Sequence, residues 1–179
     1  KKVLSSNKVK YFQLRLKKHK KKKIIQISKK IKKITKFYNV KFIINDNHDL
    51  LKKIGADGCH LGQSDGNISM IKKRIKNKII GITCHNSKKL AKKAKAMGAS
   101  YVAFGSFHKS KLKPNAKKAN TKILKWAKKK LGLPVVAIGG INNKNYKNLI
   151  NKGANYIALS SFIWDNPNLK PFKAIKVFR

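Results

Sequence analysis

Residues 42–65 read FIINDNHDLLKKIGADGCHLGQSD. Phe42-Ile43-Ile44 is a short apolar run bounded by Asn45-Asp46, the pattern of a strand buried on both faces. Leu50, Leu51 and Ile54 keep helical spacing, and Gly55 reads as the helix stop. Cys59-His60-Leu61 is a second short strand, ending on Gly62-Gln63-Ser64-Asp65. Strand, helix and strand in this order form one βα unit of a parallel sheet. The chain carries five acidic residues, every one an aspartate, against 46 Lys and Arg. Four of them (Asp46, Asp49, Asp57 and Asp65) fall in this stretch. Asp46 and Asp65 stand just past the C-terminal ends of the two strands, the rim on which parallel barrels do their chemistry.

The same alternation continues on both sides. Residues 11–15 predict a strand, and Ile24, Ile27, Ile31 and Ile34 keep helical spacing through to Tyr38. Ile68, Ile71 and Ile75 suggest a short helix. Further strands are predicted at 79–84, 101–106, 135–140 and 156–161. Helices are predicted around Leu90 to Met97, around Ile123 to Ala127, at 146–150 and at 172–178. Seven strands alternating with helices predict an α/β fold, a TIM (β/α)8 barrel in a single domain over 1–179. A closed barrel needs eight strands, and Val3-Leu4 reads as the tail of a helix. The first strand is therefore expected before Lys1. The alternative, a doubly wound open sheet, would want a glycine-rich phosphate fingerprint after its first strand, and none follows residues 11–15.

A chain of 179 residues with 41% hydrophobic content is long enough to bury a core, and no run approaches a membrane span. Cys59 and Cys84 fit neither a disulfide framework nor a zinc spacing. Reduced, buried thiols and a cytosolic, cytoplasmic setting are expected. A net charge of +41 would ordinarily suggest nucleic acid or an anionic membrane. Here the cations are nearly all Lys, dispersed over helix faces as in KKAKAM, and Arg is confined to Arg15, Arg74 and Arg179. Bidentate readers of nucleic acid favour Arg. Lys, Asn and Ile share A/T-rich codons, so base composition accounts for much of the charge. No specific nucleic acid and no membrane partner is expected.

The residues predicted at strand ends form a chemically coherent set. They are Gln13, Arg15 and Lys17; Asn45 and Asp46; Asp65; Thr83; Ser110 and Lys113; Gly140; and Ser160 and Ser161. Mg2+ takes hard oxygen ligands, commonly one or two carboxylates with water and phosphate oxygens, so Asp46 and Asp65 are the metal candidates. Arg15 could grip phosphate oxygens as a planar fork and Lys17 as a point charge. Barrels often hold a phosphate after their last two strands, where this chain has Gly139-Gly140 and Ser160-Ser161. Two phosphate-handling regions suggest two phosphorylated substrates. By contrast, Asp57 lies in a turn before a strand and reads as structural, and Asp49 reads as a helix-start residue. Cys59-His60 and Cys84-His85 point to opposite faces of their strands and make a poor softer-metal site.

The segments QLRLK (13–17), FIIND (42–46), GADGCHLGQSD (55–65), GITCHN (81–86), FGSFHKSKLK (104–113), PVVAIGGI (134–141) and GANYIALSS (153–161) resemble the thiamine-phosphate synthase family in order and spacing. The resemblance implies a TIM barrel enzyme. It implies condensation of 4-amino-2-methyl-5-hydroxymethylpyrimidine diphosphate with hydroxyethylthiazole phosphate, giving thiamine phosphate and pyrophosphate. It places Mg2+ on Asp46 and Asp65, and the pyrimidine diphosphate on Gln13, Arg15, Lys17, Asn45, Thr83 and Lys113. It places the thiazole phosphate on Ser110, Gly140, Ser160 and Ser161. Arg15, Lys17 and Lys113 would act as the catalytic cations, and a homo-oligomer stays open. Two positions depart from the family pattern: Leu112 replaces a hydroxyl residue in the loop and Leu16 an acidic one between Arg15 and Lys17. The alternatives are a thiazole tautomerase-like or inactive regulatory paralogue, then a polyanion-binding protein. Retention of Arg15, Lys17, Asn45, Asp46 and Asp65 favours the synthase.

Overall fold

The computed structural model of the chain describes residues 1–109 and 116–178. Seven strands follow one another in sequence order in a seven-stranded sheet, with parallel pairing between neighbours at both ends of it. The chain divides into two compact units, Lys1–Gly81 and Ile82–Arg179.

The first unit contains β1 (Tyr11–Leu14), α1 (Lys21–Phe37), β2 (Lys41–Asn45), α2 (Leu51–Ile54), β3 (Gly58–Leu61), α3 (Ile68–Arg74) and the start of β4 (Ile79–His85). Gln13 lies opposite Ile43, and Asn45 opposite His60. Phe42, Ile43 and Ile44 are 0–1% exposed, so both faces of β2 are covered, as its unbroken apolar run required. Full burial of each such side chain contributes about 1.5–3 kcal/mol. Gly55 ends α2 in the left-handed region, φ 66°. Asp57 lies outside the rim chemistry, as its turn position implied. Its Oδ2 accepts the Phe42 amide at 2.7 Å and Lys32 Nζ at 2.7 Å, tying the start of β2 and helix α1 to the turn before β3. Asp49 lies in a 3-10 turn, His48–Leu50, and pairs with Lys21 of α1.

The second unit runs through α4 (Lys88–Ala96), β5 (Tyr101–Phe104), α5 (Lys122–Lys130), β6 (Val135–Ala137), α6 (Tyr146–Asn151), β7 (Tyr156–Ile157), α7 (Ser161–Trp164) and α8 (Pro171–Lys176). Ser87 caps α4 by accepting the Leu90 amide at 3.2 Å, which satisfies one orphan donor of the first turn. The strand expected over 156–161 is much shorter. Only Tyr156 and Ile157 pair with β6, and the Ala158 amide makes one further bond to Ala137. Beyond it the chain turns, and the carbonyl of Ser160 takes the amides of Ile163 and Trp164 to start α7. Ser160 and Ser161 thus open a helix and do not end a strand. Cys59 and Cys84 are free and buried, and burial pushes both thiols up to about 12. Among the described residues no helix is long and apolar enough to cross a membrane.

Candidate active site

In the first unit, β1, β2 and the loops after β1, β2 and β3 bring together Gln13, Lys17, Asn45, Asp46 and Asp65. Gln13, near the end of β1, donates Nε2 to Oδ1 of Asn45, the last residue of β2, at 3.0 Å. Asn45 is only 8% exposed, so this bond fixes the rotamers of both amides. The next residue, Asp46, has φ 65°, a left-handed conformation that Asp and Asn tolerate better than other side-chain-bearing residues. Its amide donates to the carbonyl of His60 at 2.9 Å, and its carbonyl accepts the His48 amide at 2.8 Å. The backbone therefore holds Asp46 at a sharp departure from β2.

Lys17 Nζ lies 3.5 Å from Asp46 Oδ2. Asp65, after β3, accepts the Gly62 amide at 2.6 Å and so closes its own loop. The carboxyl groups of Asp46 and Asp65 lie close enough for each to shift the other's titration. Burial, then the hydrogen bond to Asp65 and repulsion from it, raise the Asp46 carboxyl above its ordinary value, and Lys17 draws it partly back. Burial pushes Asp65 upward too, but the Gly62 amide, the bond from Asp46, and the nearby Lys17 and His60 outweigh it, so the net shift is downward. The two neighbouring carboxyl groups are thus shifted in opposite directions, Asp46 upward and Asp65 downward, as close carboxyl pairs commonly are. Arg15 follows β1 and is exposed, between the half-buried Leu14 and Leu16.

In the second unit, Thr83 is half-buried on β4. Gly139 and Gly140 leave β6 with φ 94° and 61°. A Cβ on Gly139 would collide with Ser106 Oγ, and one on Gly140 with the Lys109 carbonyl. No other residue fits this approach of the segment after β5. Ser160 is exposed and Ser161 half-buried at the start of α7. Ser110 and Lys113, with Leu112 between them, lie outside the described residues.

Sequence reasoning passed over the Asn142-Asn143-Lys144-Asn145 run that follows the glycines. Asn145 donates Nδ2 to the Gly140 carbonyl at 3.1 Å and accepts the Asn142 amide at 2.9 Å; Asn142 Oδ1 in turn accepts the amides of Lys144 and Asn145. The usable signal was Asn density directly after a Gly-Gly strand end, since Asn side chains build turns. In a chain this rich in Asn the signal was faint.

The model of the thiamine monophosphate synthase family matches residues 1–163. A thiamine-phosphate synthase of Pelagibacter ubique is 52% identical over 174 residues, covering 97% of this chain and 84% of that protein. One from Erythrobacter litoralis is 37% identical over 156 residues, covering 86% of this chain and 73% of that protein. The solved structure of thiamine phosphate pyrophosphorylase from Pyrococcus furiosus superposes with a TM-score of 0.88 at 28% identity, covering 99% of this chain and 86% of that one.

Proposed function

The chain belongs to the thiamine monophosphate synthase family, and from that premise we propose that it is a thiamine-phosphate synthase, a transferase that joins 4-amino-2-methyl-5-hydroxymethylpyrimidine diphosphate to hydroxyethylthiazole phosphate. The bond from the pyrimidine methylene carbon to the diphosphate oxygen breaks, and both electrons leave with pyrophosphate. The thiazole nitrogen then supplies the electron pair of the new carbon–nitrogen bond. No proton has to be removed at the reacting carbon, so the demand on the protein is electrostatic: charge gathers on the departing diphosphate.

The observation that carries this reading is the cluster of Asp46, Asp65 and Lys17 beside the Gln13–Asn45 pair. Two neighbouring carboxyl groups, each with hard oxygen atoms, suit Mg2+. Among the described residues no group of three or more His, Cys, Asp or Glu is gathered for a metal. Water and diphosphate oxygens would fill the remaining positions, as is common for this ion. Bound there, Mg2+ would neutralise charge on the leaving diphosphate. Arg15 and Lys17 supply positive charge to it, and Lys113 is the third cation of this reading. Gln13 and Asn45, locked to each other, orient the pyrimidine end, and Thr83 adds a hydroxyl. Gly140, Ser110, Ser160 and Ser161 receive the thiazole phosphate. The seven-strand order and the likeness to the Pyrococcus enzyme support a (β/α)8 barrel, with the rim after the strands as the working face. The two free thiols are in keeping with a cytoplasmic enzyme.

The test is turnover of the purified full-length protein with both substrates, with and without Mg2+, following thiamine phosphate and pyrophosphate together. Equimolar formation of both, lost on chelation, is expected. Binding of both substrates with no product would instead make the protein an inactive paralogue.

A further inference from the structure

We propose that Asn145 is a positioning residue for the thiazole phosphate, acting through the Gly139-Gly140 backbone. The inference rests on the reading that Gly140 receives this phosphate. Asn145 occupies the N-cap position of α6, where an Asn side chain normally accepts an amide of the first helical turn. It makes no such cap bond. Its amide nitrogen instead turns back to the Gly140 carbonyl at 3.1 Å, and its oxygen takes the Asn142 amide at 2.9 Å. A good capping residue thus gives up its cap to hold a loop peptide.

The peptide it holds decides where a donor points. In a trans peptide the N–H is directed opposite to the carbonyl. The Gly139 carbonyl accepts the His108 amide at 3.1 Å, and the Gly140 carbonyl accepts Asn145. With both carbonyls engaged by the protein, the amides of Gly140 and Ile141 are turned to the other side of their planes. Among the described residues neither amide has a protein acceptor. Two successive backbone donors of this kind make an anion cradle. Both glycines are in the left-handed region, φ 94° and 61°, and have the widest backbone freedom of any residue. A side chain that clamps the second carbonyl removes that freedom before the ligand arrives, which lowers the ordering cost of binding.

The experiment measures thiazole phosphate affinity by calorimetry, with steady-state KM for each substrate and the unfolding temperature alongside. Asn145→Ala should weaken thiazole phosphate binding and raise its KM about tenfold, the scale of one lost orienting hydrogen bond, with the pyrimidine diphosphate KM within about twofold of wild type. Asn145→Asp keeps the oxygen that accepts the Asn142 amide, so the turn survives, but it sets an acceptor against the Gly140 carbonyl. It should lose at least as much affinity as Asn145→Ala, and it stands in if the alanine variant fails to fold. Asn142→Ala loosens the turn without touching Gly140 and should lower the unfolding temperature with thiazole phosphate affinity within about twofold. Unchanged affinity in both Asn145 variants, or equal rises in both KM values, overturns the role while leaving the synthase reading intact. Wild-type protein that neither binds thiazole phosphate nor turns over removes the synthase reading and this role with it.

Discussion

The Asp46 carboxyl, on the loop after β2, and the Asp65 carboxyl, on the loop after β3, lie close enough that each shifts the other's titration. Two carboxylates in such contact repel unless a proton or a cation lies between them. The Asp65→Asn variant keeps an oxygen for the Gly62 amide, so its loop should close as before. We expect turnover to fall at least about 100-fold, the scale of removing one electrostatic stabiliser, with the unfolding temperature near wild type. Mg2+ with pyrophosphate should raise the unfolding temperature of the wild type by ligand linkage and leave the variant unmoved. Equal shifts in both proteins would take Asp65 out of the cation site.

Arg15 separates an enzyme site from general attraction to polyanions. In the synthase reading, Arg15→Ala removes a fixed cation from the diphosphate and should weaken pyrimidine diphosphate binding by about 10- to 100-fold. Loss of one charge from a chain of net +41 should hardly alter its attraction to duplex DNA. That attraction should fall steeply as salt rises, because it depends on counterion release. DNA affinity that persists at physiological salt, together with no diphosphate binding, would reverse the assignment.

Much of this was legible in the sequence because apolar runs fix buried strands with little ambiguity. Phe42-Ile43-Ile44 had no polar face to offer and became β2, covered on both sides. Asp46 and Asp65 stood out because the chain has so few carboxylates. Asp57 was separable from them by its place before a strand, and its contacts to Phe42 and Lys32 bear that out. The run from Tyr156 to Ser161 misled. β6 offers three residues for pairing, so β7 could not extend along it, and the four residues of α7 are too few to show a helical period. Asn145 was invisible for another reason: its role depends on which way a side chain turns at a helix start, and the residue type alone allows either.

Leu112 is the departure from the family pattern with a direct functional reading, although it lies outside the described residues. A leucine cannot donate a hydrogen bond where relatives of the pattern carry a hydroxyl. One lost donor to a charged phosphate typically costs about 1.5–3 kcal/mol, or roughly one to two powers of ten in affinity. Leu112→Thr should therefore lower the KM for thiazole phosphate and leave that for pyrimidine diphosphate alone. Both KM values unchanged would show that residue 112 does not serve this phosphate.

Asp57 gives a pH signature that belongs to the fold and not to the chemistry. Its carboxylate takes the Phe42 amide and Lys32 Nζ on one oxygen, with its side chain about a quarter exposed. Burial raises its pKa, but the Lys32 bond and the Phe42 amide together bring it below the ordinary 3.8. A carboxyl with a depressed native value binds fewer protons folded than unfolded, so it stabilises the fold above the unfolded value. That contribution is lost as pH falls from about 3.8 through the lower native value. Asp57→Ala should cost about 2 kcal/mol at neutral pH, the worth of a charged hydrogen bond in a part-buried setting, or roughly 4–8 °C in Tm for a chain of this size. Urea unfolding of both proteins from pH 7 down to pH 3 should show a steady gap that begins to close only near the bottom of this range. A gap that stays constant below pH 4, or widens there, would mean that the lost stability comes from packing around residue 57 and not from the ionised carboxylate.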